Sequence, residues 1–336
     1  MFFFGQLGIV RIFDLMDSVM VSRFLVYILL IQILSVKQKA FISLLLFLQT
    51  MSIKIGIIGG SGLYNMGIIK DAQEISVETP FGPPSDTIIQ GKINNVDIVF
   101  LPRHGRYHAI PPHQVNYRAN VFALKECGVE YLLSTAAVGS LKKNIKPCDL
   151  VIADQLIDRT MKRESSFFQD GIVAHVGFAD PFCTTLSDLF FQSAKKEGIT
   201  VHQGSYICME GTQFSTRAES NLYRSWDVDV IGMTLATEAK LAREAEMCLC
   251  GILSVTDYDC WYEGEDDVSV SSIVENLQTN ATTVATLLQT VIPKIQGKRT
   301  CTCCNALDTA LITPIEHVKK HGNPRVNQIL LKRFLQ

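Results

Sequence analysis

The chain predicts an α/β fold built around a mostly buried sheet, and two observations carry that reading. From Ile53 onward, short runs of Val, Ile and Leu alternate with longer stretches of helical period. No internal repeat and no linker rich in Pro, Gly or Ser interrupts the alternation, so residues 51–336 are expected to form a single domain.

Residues 53–58 are a nearly unbroken apolar run, as a strand covered on both faces requires. Runs at 96–101, 131–134, 150–153, 228–231 and 249–255 repeat the pattern and are read as further strands. Helical periodicity places helices over 115–126, 185–197, 217–224, 237–245 and 272–292. Thr216 with Glu219, and Ser272 with Glu275, have the spacing at which a hydroxyl and a carboxylate cap a helix start reciprocally.

Residues 1–50 stand apart by their apolarity. Runs at 24–34 and 41–48 flank Lys37-Gln38-Lys39, and neither reaches the roughly 18 apolar residues of a spanning helix. Asp14 and Asp17 precede the apolar part and no small-residue cleavage site follows it, which argues against a secretory signal. Met51 is therefore read as the initiator. A packing extension, or membrane association through residues 1–50, is the less favoured alternative.

With 31 basic against 33 acidic side chains, a net charge of -2 disfavours a nucleic-acid binder and an acidic disordered tail. The mean hydropathy of +0.20 owes its excess to the first fifty residues. Ten cysteines scattered through a long α/β chain read as reduced thiols of a cytoplasmic enzyme. Cys301, Cys303 and Cys304 form the one tight group. No second ligand pair lies near them in sequence, so no metal is expected and small buried thiols or a redox-sensitive tail is the reading.

Ligands of open α/β sheets sit beyond the carboxyl ends of the strands, and the residues found there are unusually polar. Gly59-Gly60-Ser61-Gly62 follows the first strand, Pro102-Arg103-His104-Gly105-Arg106 the second and Thr135-Ala136-Ala137-Val138-Gly139-Ser140 the third. Gly232-Met233-Thr234 and Thr256-Asp257-Tyr258-Asp259 follow later ones. The glycine turn lets backbone amides approach an anion, but a third glycine of a dinucleotide fingerprint would fall at Asn65, which disfavours an oxidoreductase. The Arg103 guanidinium offers a planar fork to two phosphate oxygens, with the His104 imidazole as a further donor and Thr234 as a hydroxyl. Such a set suits a free or terminal phosphate better than a pyrophosphate. Asp257 and Asp259 follow the very apolar run 249–255, where low dielectric raises the pKa of at least one of them. Their alternate spacing on an extended segment directs them to opposite sides. Phe214 and Met233 are apolar candidates to hold a planar ring or a thioether.

In combination these motifs resemble the S-methyl-5′-thioadenosine phosphorylases of the trimeric purine nucleoside phosphorylase family, in its prokaryotic branch. The likeness runs through Gly56-Ile57-Ile58-Gly59-Gly60-Ser61-Gly62-Leu63, Thr79-Pro80-Phe81-Gly82, Arg103-His104-Gly105 and Val115-Asn116-Tyr117-Arg118-Ala119-Asn120. It continues through Phe214-Ser215-Thr216-Arg217-Ala218-Glu219-Ser220, Thr256-Asp257-Tyr258-Asp259-Cys260-Trp261 and the Cys301-Thr302-Cys303-Cys304 tail. The resemblance implies a purine nucleoside phosphorylase fold, a mixed twisted sheet partly closed into a barrel and flanked by helices.

The reaction implied is cleavage of S-methyl-5′-thioadenosine by phosphate, to adenine and 5-methylthioribose 1-phosphate. Inorganic phosphate is the co-substrate, and no cofactor is expected. By the same resemblance Ser61, Arg103, His104 and Thr234, with the Ala137 amide, bind phosphate. Phe214 stacks on adenine, Met233 lies under the ribose, and Asp257 and Asp259 read the base, with Asp257 donating a proton to purine N7 as the catalytic acid. His175 is lent by a neighbouring subunit of a homotrimer or dimer of trimers, and Val270 and Ile273 line the methylthio end. Ala136 departs from the family pattern where a small polar ligand is usual, and Thr135 is the candidate to compensate. Thr212, Gln213 and Thr237 depart from it as well, and Gly232 stands where some relatives have asparagine. Two alternatives are a relative acting on adenosine, inosine or 5′-methylthioinosine, and a non-catalytic nucleoside-binding protein.

Overall fold

The apolar runs become strands covered on both faces. In the computed structural model, which describes residues 53–60, 67–169, 171–262 and 270–335, strand β1 (Lys54–Gly59) is buried from Ile55 onward. The extension 1–50 and Ser61 lie outside the described residues, as do the side chains of residues 270–274. β2 (Lys70–Ile75), β3 (Ile88–Ile93) and β4 (Val96–Pro102) form an antiparallel meander that joins β1 through a parallel β1–β4 pairing. On its other side β1 pairs in parallel with β5 (Val129–Ser140).

β5 is longer than its apolar run suggests, and the extra length changes the topology. Its first part pairs with β1, most of its length (Tyr131 to Gly139) with β9 (Cys248–Asp257), and its last residues with β8 (Val230–Gly232). β6 (Leu150–Asp158) joins β9 to β7 (Val201–Cys208), and β7 joins β8. Strands β5, β9, β6, β7 and β8 thereby close a five-stranded barrel, while β1, β4, β3 and β2 carry the sheet outward. β2, the far end of that sheet, is polar and exposed, with its register broken between Lys70 and Gln73 and Asp71 at a φ of 54°.

Alternating side chains sort the core onto the two faces of the sheet. Ile55, Ile57, Ile98 and Phe100 pack with α2 (Thr184–Lys196) and α5 (Val270–Val291) through Leu186, Phe190, Leu287 and Leu288. Ile58, Val99 and Leu101 pack on the opposite side with α1 (Tyr117–Glu126) and α4 (Leu235–Glu244). Each fully buried Ile or Phe contributes roughly 1.5–3 kcal/mol. α3 (Arg217–Ser225) starts at the expected Thr216–Glu219 capping box. α5 starts at Val270, so Ser272 lies within the helix rather than ahead of it. Two short helices, α6 (Ile315–His321) and α7 (Pro324–Leu330), finish the chain. Among the described residues no helix is long and apolar enough to cross a membrane.

α4 is positioned by the barrel interior. Tyr206 on β7 is fully buried, and its hydroxyl accepts from the backbone N–H groups of Thr234 at 3.0 Å and Leu235 at 3.4 Å. Two donors that the helix cannot satisfy internally are thereby paired. Gly232 makes the room, because a Cβ there would lie 2.7 Å from Tyr206 Oη and 2.8 Å from its ring. Gly232→Ala is therefore expected to lower the unfolding free energy by about 1–3 kcal/mol, measured by urea unfolding followed by circular dichroism.

Candidate active site

The ends of β1, β4, β8 and β9 and the second half of β5 converge on one cavity of about 430 Å³. Its wall brings together Arg103, His104, Ala137, Phe214, Met233, Thr234, Asp257 and Asp259, which the sequence distributes over more than 150 residues. Gly60 reaches the wall from the glycine turn, while Ser61 lies outside the described residues. The segment 135–140, expected as a loop, is the continuation of β5, so Ala136 to Gly139 line the cavity as strand residues.

One end of the cavity is built to receive negative charge. Thr234 precedes the first turn of α4, where the helix dipole favours an anion even though Tyr206 takes the N–H groups of Thr234 and Leu235. The Thr234 hydroxyl is buried and has no hydrogen-bond partner among the described residues. Arg103 is 1% exposed and approaches this end differently from expectation. Its Nε and Nη2 donate to Glu238 at 2.5 and 3.1 Å, so the planar fork is engaged by a buried carboxylate. Nη2 also donates to Ser134 Oγ and Nη1 to the Thr135 carbonyl, both at 2.9 Å. Thr135 is not a substitute ligand for Ala136. Its hydroxyl donates to the Ile58 carbonyl and accepts from Gly60 N–H, which fixes the glycine turn to β5.

His104 also differs from the donor that was expected. Its Nδ1 lies 2.8 Å from the Ile110 carbonyl, which only accepts, so Nδ1 carries the proton. Burial, then the charge of Arg103, push its pKa down to about 3. The imidazole is neutral near pH 7, and its Nε2 is an acceptor. His108 stacks on it with ring centroids 4.5 Å apart.

At the other end, Asp257 and Asp259 face the same cavity, not opposite sides. β9 stops at Asp257 and the chain turns through Tyr258 and Asp259, the latter at a φ of 53°. Asp257 accepts from Thr256 Oγ1 at 2.7 Å and from the Asp259 N–H at 2.8 Å. Asp259 is buried beside Ser220, and burial pushes its pKa up from 3.8 to about 6. Gly139 lets the pair pack on β5, since a Cβ there would lie 3.0 Å from Asp257 Oδ1.

Phe214 lies at the cavity mouth, 46% exposed, and Met233 lies on its wall. His175 is exposed and is not brought to the cavity; its backbone N–H donates to the Ala310 carbonyl beside the Ala174–Leu311 bridge. Val270 and Ile273 lie at the start of α5, and their side chains are outside the described residues.

Two supporting residues escaped the sequence reading. Glu238 holds Arg103 and also accepts from Ser134 Oγ at 2.5 Å. Arg163 donates from Nη1 to the Met233 carbonyl and Tyr117 hydroxyl, and to Glu210 through its side chain and carbonyl. This fixes the Met209–Glu210 segment against Met233. For Glu238 there was a signal, a carboxylate between the apolar positions Leu235, Ala236 and Ala239 of a buried helix. Arg163 stands in a polar segment and carried none.

A sequence profile described as the phosphorylase superfamily matches residues 54–293. The chain belongs to this superfamily. It is 49% identical over 278 residues to the S-methyl-5′-thioadenosine phosphorylase of Geobacter sulfurreducens, covering 82% of this chain and 97% of that relative. To the enzyme of the same name from Thermofilum pendens it is 51% identical over 261 residues, covering 77% and 99%. A solved methylthioadenosine phosphorylase from an antarctic soil metagenomic library matches with a TM-score of 0.78 and 43% identity, over 83% of this chain and 99% of that one. A mutant adenosine/methylthioadenosine phosphorylase from Schistosoma mansoni, in complex with methylthioadenosine, matches with a TM-score of 0.72 and 35% identity, over 76% and 96%. The fold is that of the purine nucleoside phosphorylases, as the partly closed barrel indicates.

The raised pKa of Asp259 has a consequence for stability. The folded state favours its neutral form, so its contribution is complete below the unfolded value near 4 and is lost as pH rises through about 6. Asp259→Asn removes that loss. The variant is expected to unfold with about 3 kcal/mol more free energy than the parent at pH 8 and with little difference at pH 4, measured by urea unfolding across that range.

Proposed function

We propose that the chain catalyses the phosphorolysis of S-methyl-5′-thioadenosine to adenine and 5-methylthioribose 1-phosphate, a reaction of purine and methionine salvage. The observation that carries this reading is a single cavity with a hydroxyl, unpartnered among the described residues, at a helix N-terminus at one end and a buried aspartate pair at the other. The relatives' names support the substrate, and the two chemically different ends of the cavity support a separate seat for each half of the reaction.

Phosphate enters at Thr234 and the start of α4, with Ser61 and the Ala137 amide as further donors. A neutral His104 accepts from the P–OH of hydrogen phosphate, which leaves the unprotonated oxygens to be held by donors and directed at the sugar. Arg103 adds positive charge from behind, held by Glu238. Phosphate is the nucleophile, so no enzyme nucleophile is required.

Adenine stacks on Phe214, the ribose rests on Met233, and Asp257 and Asp259 read the purine edge. As the C1′–N9 bond breaks, its electron pair passes to the base and the Asp257 carboxyl donates a proton to N7, while a phosphate oxygen bonds to C1′. Solvent returns the proton. A carboxylate oxygen accepts from the exocyclic 6-amino group but meets the lone pairs of a 6-oxo group, which selects adenine. His175 is exposed and distant from its own cavity, as expected of a residue lent to a neighbour in a homotrimer or dimer of trimers. Val270 and Ile273 would line the methylthio end. The enzyme works in the cytoplasm with no cofactor beyond its co-substrate.

The test is chromatographic. The purified chain, incubated with S-methyl-5′-thioadenosine, adenosine or inosine, should release free base only when phosphate is present, fastest from the methylthio substrate. Asp257→Asn should slow adenine release by about 10²–10⁴-fold and raise the relative rate on inosine. Binding without release, or release without phosphate, would rule the reaction out. A second test isolates the anion end. Thr234→Val should raise the phosphate KM about tenfold or more, as loss of a hydrogen bond to a charged ligand does, with little change in nucleoside KM and no loss of thermal stability.

A further inference from the structure

Far from the cavity, the fold brings four cysteines together. Cys183 is the residue that opens α2, Cys248 is the first residue of β9, and Cys301 and Cys303 belong to the 3₁₀ turn after α5. Their four sulfurs all lie within 4.8 Å of one another. A tetrahedral zinc with Zn–S bonds of about 2.3 Å needs sulfurs about 3.8 Å apart, so the group has the size of such a site. The second ligand pair that the sequence lacks near Cys301 comes from residues 53 and more positions upstream.

The surroundings suit a closed site. Cys183, Cys248 and Cys303 are buried in the apolar core on the α2 and α5 face of the sheet, and Cys301 is partly exposed, which leaves an entry path. Cys248 Sγ lies 3.2 Å from Cys301 Sγ, well beyond the ~2.05 Å of a disulfide. The Arg299 guanidinium lies beside Cys248, where it offsets negative charge on the sulfurs. The Cys183 N–H donates to the Leu249 carbonyl at 2.8 Å, which holds two of the ligating segments in register before any ion binds.

We propose that Cys183, Cys248, Cys301 and Cys303 bind one Zn²⁺ in a closed tetrahedral S₄ site. The ion replaces four thiol protons, released to solvent, and pins the segment after α5 to the barrel. Cys248 begins β9 and Asp257 ends it, so the ion sits about 30 Å from the aspartate end of the cavity. With all four positions filled by sulfur the site is structural and takes no part in the reaction.

The experiment uses the full chain purified under reducing conditions. Elemental analysis after zinc exposure and desalting should find about one Zn²⁺ per chain in the parent and in Cys304→Ser, whose sulfur lies outside the cluster. Cys301→Ser and Cys303→Ser should each hold zinc at least about tenfold more weakly. Replacement by Co²⁺ should give the strong thiolate charge-transfer absorption of a tetrahedral S₄ site in the parent, a readout that does not depend on how well the variants fold. A chelator should lower the melting temperature of the parent and leave that of Cys301→Ser unchanged. No zinc uptake by the parent, iron in its place, equal zinc in all the variants, or disulfides among these four residues in the reduced protein would each overturn the assignment.

Discussion

The ion pair between Arg103 and Glu238 is the contact on which the rest of the site depends. It joins the end of β4 to the interior of α4, and through Ser134 and the Thr135 carbonyl it also grips β5. Removing two such charges from water costs several kcal/mol each, and only close geometry with further hydrogen bonds offsets that cost. Here the carboxylate meets the guanidinium edge with both oxygens, and a serine hydroxyl adds a third contact. The direction of α4 follows from this pair and from Tyr206, and with it the place of the Thr234 hydroxyl.

The charge distribution of the cavity is correspondingly restrained. Among its described lining residues Arg103 is the one arginine or lysine, and a carboxylate faces it from behind. The adjacent imidazole is neutral. The described groups there that favour an anion carry no full charge: the dipole of α4 and the Thr234 hydroxyl. Such groups are already aligned when charge develops and need no reorganisation. At the opposite end two carboxylates share a turn, and burial pushes Asp259 up to about 6.

Most of this fold was legible because its strands are buried on both faces. β1, β4, β5, β6, β8 and β9 all announce themselves as apolar runs, and the polar residues at their ends are those that meet in the cavity. β2, β3 and β7 were not legible. β2 is Lys-Asp-Ala-Gln-Glu-Ile and exposed, so its pairing to β3 leaves no hydrophobic signature. β7 is buried in the barrel, yet His202, Gln203 and Ser205 break its apolar run. The residue types of the site were readable, but their directions were not. Nothing local shows that the Arg103 fork turns to Glu238, 135 positions away, or that His104 gives its proton to Ile110. The turn at Asp259 defeated the strand periodicity that separated it from Asp257. The cysteine grouping was hidden for the same reason, since sequence distance says little about which loops a barrel gathers.

Closure of the barrel has a further effect on how safely this sheet can be displayed. Among the described residues β5, β9, β6, β7 and β8 have partners on both sides, and the outward run ends at β2. Unpaired strand edges invite other chains to add to them and so to aggregate. This one carries Lys70, Asp71 and Glu74, a break in register and a left-handed residue, and Arg106 ties Glu74 into a surface ion pair. A molecule with so apolar an interior therefore offers intruding strands a charged and irregular margin on which a regular ladder cannot grow.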